Sequence, residues 1–179
     1  MRVAYLGPRG TFTEDALREA IGGEEVEAQP KPSVYDAIIA VQSGEADRAL
    51  VPFENSIEGA VSATLDTLAF DAQGVTIVGE HDLPIRHCLI AREPIPLERI
   101  EVVLSHPQAL IQCEGFLRTI PWVRPQPEFD TAGAARKVRD GRDPSVAAIA
   151  SASAGRLFGL EVLREGIQPL AGDYTRYFE

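Results

Sequence analysis

Short apolar runs alternating with helix-like stretches constrain this chain more than any other feature. RVAYL (2–6) reads as a buried strand, FTEDALREAI as a helix with Thr11 or Thr13 near its start, and VYDAIIAVQS as a helix capped by Ser33 and ended by Gly44; RALVPF (48–53) is again a strand. SIEGAVSATLDTLAF reads as helical until Gly74, and VTIVGEHDL and RHCLIAR as two extended segments split by Pro84. EVVLS (101–105), HPQALIQCEGFLRTI, WVRPQPEF, TAGAARKVRDG and SVAAIA (145–150) then alternate strand and helix once more. The order strand, helix, strand, helix, strand occurs twice, which predicts two α/β lobes with largely parallel sheets. The expected division is about 1–80 plus 160–179 for the first lobe and 81–159 for the second. A cleft between lobes is the default ligand site.

Composition narrows the function classes. With 179 residues, 45% hydrophobic and 25% charged, the chain has the make-up of an ordinary globular protein. Cys88 and Cys113 are too few and too far apart for a disulfide framework or a zinc site, which predicts buried thiols. A net charge of −10 repels nucleic acid and anionic lipid, so neither is an expected partner. No apolar run approaches the roughly 18 residues that span a membrane. The N-terminal MRVAYLGPRG lacks the apolar stretch of a signal peptide, which predicts a cytoplasmic protein. Any anion site must be built locally, from helix starts and a few arginines.

Four stretches put polar residues where α/β sheets bind ligands, at strand C-termini and helix starts. Glu54, Asn55 and Ser56 follow a strand in VPFENSIEGAV, and three polar groups exceed what a cap needs. In LSHPQALIQC, Ser105 can cap, Pro107 suits a first turn, and Gln108 and Gln112 share one helical face. His106 beside that proline reads as structural. In FDTAGAARKV, Asp130 or Thr131 starts a helix of small residues, and in AAIASASAG, Ser151 and Ser153 cap another. Each alone fits simple capping; four helix starts together would bind an anion. GPRGT lacks the lysine and spacing of a phosphate loop.

YLGPRGTFTEDA (5–16), VPFENSIEGAV (51–61), SHPQALIQC (105–113), DTAGAA (130–135), AAIASASAG (147–155) and TRY (175–177) together resemble the catalytic domain of prephenate dehydratases, in the family's order and along the whole chain. The resemblance implies a bilobal fold like the type II periplasmic binding proteins, with the active site in the cleft. It also implies that Thr175 is catalytic. The family usually has Thr-Arg-Phe where this chain has Thr-Arg-Tyr, so Tyr177 departs from the pattern. In many members a phenylalanine-binding ACT domain follows this motif, whereas this sequence ends two residues after Tyr177, as a naturally short enzyme or a shortened piece would.

That reaction removes a ring carboxylate as CO2 and a ring hydroxyl as water. Aromatisation drives it, so no cofactor and no metal is expected. Thr175 is the expected hydrogen-bond or proton donor to the leaving hydroxyl, and Glu54 is its rival. Arg176 is expected to pair with a substrate carboxylate, the alternative being an ion pair with one of 27 acidic residues. Asn55, Ser56, Ser105, Gln108, Thr131 and Ser151 complete the expected contacts to a small dianionic substrate. The resemblance also suggests a homodimer. Arogenate as substrate, and a non-catalytic binding module of the same fold, are the competing readings.

Overall fold

The computed structural model describes residues 1–21, 25–168 and 173–179. It divides into two compact units, Met1–Ile85 with Gly172–Glu179, and Arg86–Ala171. The second boundary falls later than the expected residue 160. LEVLRE pairs along a strand of the second unit and stays with it.

In the first unit, β1 (Arg2–Leu6), α1 (Phe12–Ala20), β2 (Glu27–Lys31), α2 (Val34–Gln42) and β3 (Arg48–Asn55) follow one another as the alternation predicts. The Ser33 hydroxyl accepts from the Asp36 N–H at 3.0 Å and caps α2. β4 (Gly59–Ala60) folds back on β3, α3 (Ser62–Asp66) runs into a π-helical turn (Thr67–Asp71), and β5 (Glu80–Pro84) follows. The residues from Glu54 to Ala60 are thus a hairpin, and the helix expected from Ser56 begins only at Ser62.

Gly7 approaches β2 closely, since a Cβ there would sit 2.8 Å from the Pro30 Cβ. The Gly10 N–H donates to Glu14 at 2.6 Å, so the GPRGT turn is tied to α1 by a buried carboxylate.

The second unit holds β6 (Cys88–Ala91), β7 (Val102–Ser105), α4 (Pro107–Gln112), α5 (Glu114–Leu117), β8 (Arg124–Pro127), α6 (Thr131–Asp140), β9 (Val146–Ala150), α7 (Ala152–Phe158) and β10 (Glu161–Glu165). Its sheet order is β10-β6-β9-β7-β8. The last strand, β11 (Tyr174–Phe178), returns to the first unit, whose main order is β2-β1-β3-β11-β5. Both sheets are mixed rather than largely parallel. β11 runs antiparallel to β3 and β5, and β6 antiparallel to β9 and β10.

Each sheet is buried on both faces. In the first unit Tyr5, Leu17, Leu50, Leu83 and Tyr177 form the core on the α1 side, and Ala4, Ile38 and Val51, with Phe178 against them, form the core on the α2 side. In the second unit Leu89, Val103 and Ile149 pack with Cys113, while Ile90, Leu104 and Ala148 pack with Ala135 and Ala154. Cys88 and Cys113 are buried and form no disulfide.

Candidate active site

Strand register decides which side chains in the first unit can act together. Thr175 lies opposite Asn55 on β3 and Leu83 on β5; Arg176 lies opposite Glu54 and Asp82. Opposed residues share a face and successive residues alternate. Thr175 and Asn55 therefore share the α1-side face, and Arg176, Glu54 and Asp82 the other. The register shifts between Arg176 and Tyr177, with Tyr177 opposite Pro52, which leaves Phe53 as an extra residue on β3. In an unshifted ladder Glu54 would lie opposite Thr175. The bulge turns Asn55 there instead.

Asn55 is the hub. Its Nδ2 donates toward Thr175 Oγ1 at 3.0 Å, Asp173 Oδ1 at 3.2 Å and the Tyr174 carbonyl at 3.2 Å. Its Oδ1 accepts from the N–H groups of Ile57 at 2.9 Å and Glu58 at 3.1 Å, which determines the end of the amide that meets Thr175. Ser56 donates its N–H to the Tyr174 carbonyl and accepts the Tyr174 N–H on Oγ, each at 3.0 Å. Expected as substrate contacts, Asn55 and Ser56 use these groups to clasp β11. Thr175 and Tyr177 are buried, and the Tyr177 phenol shares side-chain hydrogen bonds with Thr13 and Thr175. Burial pushes that phenol up, and the two threonines oppose the shift.

Two expectations change on the other face. Arg176 forms a two-pronged ion pair with Asp82, Nε to Oδ1 at 2.9 Å and Nη2 to Oδ2 at 3.1 Å, so the acidic-partner alternative describes its geometry. The guanidinium holds the Asp82 carboxyl below the usual carboxylate range. Glu54, the rival proton donor, faces this pair and not Thr175, because Phe53 displaces it by one position.

The remaining expected residues lie in the second unit. The parallel strands β8, β7 and β9 end together, and α6, α4 and α7 start just beyond those ends. His106, not Ser105, caps α4, its Nδ1 accepting the Gln108 N–H at 3.2 Å. Ser105 is fully buried and donates its hydroxyl to the Ile149 carbonyl at 2.7 Å, which ties β7 to β9. Thr131 opens α6 behind Asp130, whose Oδ1 accepts the Gly133 N–H at 2.6 Å. Ser151 Oγ accepts the Ala154 N–H at 3.1 Å and shares a 2.7 Å hydrogen bond with Ser153. Gln108, Thr131 and Ser151 therefore gather at one sheet edge with three helix starts; the fourth expected start is the β3–β4 hairpin. Sequence reading missed Asp173 and the buried His87, whose Nε2 meets Gln112 Oε1 at 2.6 Å. Spacing of two from Thr175 was the available signal for Asp173. Among the described residues no group of three or more His, Cys, Asp or Glu is placed to hold a metal.

The fold and this geometry define a two-sheet α/β protein with a buried threonine hydroxyl held by an asparagine across antiparallel strands. A family model described as prephenate dehydratase matches residues 3–179, and the chain belongs to that family. It is 38% identical over 179 residues to a prephenate dehydratase of Lactococcus lactis, covering 99% of this chain and 62% of that protein. It is 40% identical over 177 residues to arogenate dehydratase 2 of Petunia hybrida, covering 99% of this chain and 44% of that one. The crystal structure of an Arthrobacter aurescens prephenate dehydratase in complex with L-Phe superposes with a TM-score of 0.90 at 36% identity, over 99% of this chain and 59% of that one. The chain thus spans about half to three fifths of the length of these relatives.

Proposed function

We propose that the protein is a carbon–oxygen lyase of aromatic amino-acid biosynthesis. It converts prephenate, with uptake of one proton, to phenylpyruvate, CO2 and water. The observation that carries the reading is the Asn55 Nδ2 donation to Thr175 Oγ1, inside the motif this family shares. A hydroxyl that accepts at its oxygen has its own hydrogen to donate, and Thr175 directs that hydrogen to the leaving ring hydroxyl. An unactivated alcohol is a poor general acid, so its contribution is a hydrogen bond that strengthens as negative charge develops. Within the second unit, the helix starts that carry Gln108, Thr131 and Ser151 suit anionic groups. Arg176 positions β11 through Asp82 rather than gripping substrate.

The biosynthetic reading also supports a cytoplasmic homodimer. Arogenate is the second substrate to assay, since several relatives carry that name. In an assay of phenylpyruvate formation, Thr175→Val loses at least 100-fold in kcat while Thr175→Ser stays within tenfold. Full activity of the valine variant would remove Thr175 from the reaction.

A further inference from the structure

Asp173 lies two residues before Thr175, and its backbone carbonyl accepts the Ile85 N–H at 2.8 Å, so it continues the ladder that holds β11. It is 3% exposed. One carboxylate oxygen, Oδ1, accepts from Asn55 Nδ2 at 3.2 Å; the other is buried and has no hydrogen-bond partner among the described residues. Burying a carboxylate is costly unless it is well partnered, and a neutral Asn or Ser here would suit a purely structural tie better. The group that contacts this carboxylate is the same amide that contacts Thr175.

We propose that Asp173 is a positioning residue that sets the direction of the Thr175 hydroxyl through Asn55. An amide nitrogen has two hydrogens. The carboxylate draws one toward Oδ1, Ile57 and Glu58 hold the amide oxygen from the far side, and the second hydrogen is left on the line to Thr175 Oγ1. Without Asp173 the amide can rotate toward the Tyr174 carbonyl, 3.2 Å away, and the threonine oxygen loses the amide that aims it. Its hydroxyl hydrogen is then free to turn back into the protein. The inference rests on Thr175 being the donor proposed above and adds the residue that aims it.

The test is a double-mutant cycle on the 179-residue chain, with kcat and KM for prephenate and thermal melting for every variant. Asp173→Ala is expected to lower kcat about 10- to 100-fold with KM within twofold, the cost of misaiming a group by a fraction of an ångström. Asp173→Asn, which keeps an acceptor oxygen, stays within about threefold. In the Thr175→Val background, Asp173→Ala changes kcat no further, because the group it aims is gone. A multiplicative loss in that background, or full kcat in Asp173→Ala, overturns the proposal. If the alanine variant does not fold, Asp173→Ser, whose hydroxyl is too short to reach Asn55, takes its place in the cycle. Full activity of Thr175→Val alone would sink the donor reading itself, an outcome separate from any result at Asp173.

Discussion

The smallest departure from the family motif is also the most testable. Tyr177 adds one hydroxyl to a ring position the family fills with phenylalanine, and that hydroxyl reaches Thr13 on α1 and Thr175 on its own strand. A buried hydrogen bond is worth ~1 kcal/mol net, so Tyr177→Phe is expected to lower the melting temperature by about 2–4 °C and kcat about fivefold, with KM nearly unchanged. An unchanged kcat would assign the phenol to packing alone. Thr175, Asn55 and Ser56 stood out in the sequence as candidates because each lies in a short, contiguous segment, VPFENSIEGAV or TRY. Their division of labour was not, since Asn55 and Ser56 act on residues about 120 positions away. Arg176 shows the same limit: a cation next in sequence to Thr175 suggests a shared site, but one step along a strand carries it to the opposite face.

At the scale of elements, the alternation of strands and helices was readable from apolar period and capping residues, with Ser33, Asp130 and Ser151 all placed as caps. The inserted Phe53 was not. A bulge leaves no mark in hydrophobic pattern, yet it exchanges Glu54 for Asn55 beside Thr175 and stacks its own ring on Phe178 with centroids 3.9 Å apart. The GPRGT turn has a comparable device in Glu14. Burial raises that carboxyl, but Arg18, the Gly10 N–H and Arg9 together hold it below its ordinary value of 4.5. A carboxyl whose folded pKa is depressed contributes stability that is present above 4.5 and is lost as pH falls through the lower folded value. Glu14→Gln is expected to cost roughly 1–3 kcal/mol at pH 7, with the gap to wild type narrowing as melts are taken below pH 4.5. A gap constant down to pH 3 would mean that packing, not charge, sets the contribution.

For the whole molecule, the two units differ in how they are closed. The second is one continuous stretch with two cores of its own, whereas the first needs a strand drawn from the far end of the chain. Expressed alone, residues 86–171 are expected to fold cooperatively. Residues 1–85 are not, because β5 joins the sheet only through β11. Circular dichroism melts of both fragments decide the point, and a cooperative transition in 1–85 would show that β5 finds β3 unaided. The sequence displayed the repeated strand–helix order but not this closure, since pairing partners of antiparallel strands are set by register and not by composition. The placement of β11 also orders events in time. During synthesis the second unit can finish while the first still presents open edges on β3 and β5, because β11 follows the second unit in the sequence. Closing the first sheet is therefore a long-range step that waits on a strand made only after the whole second unit.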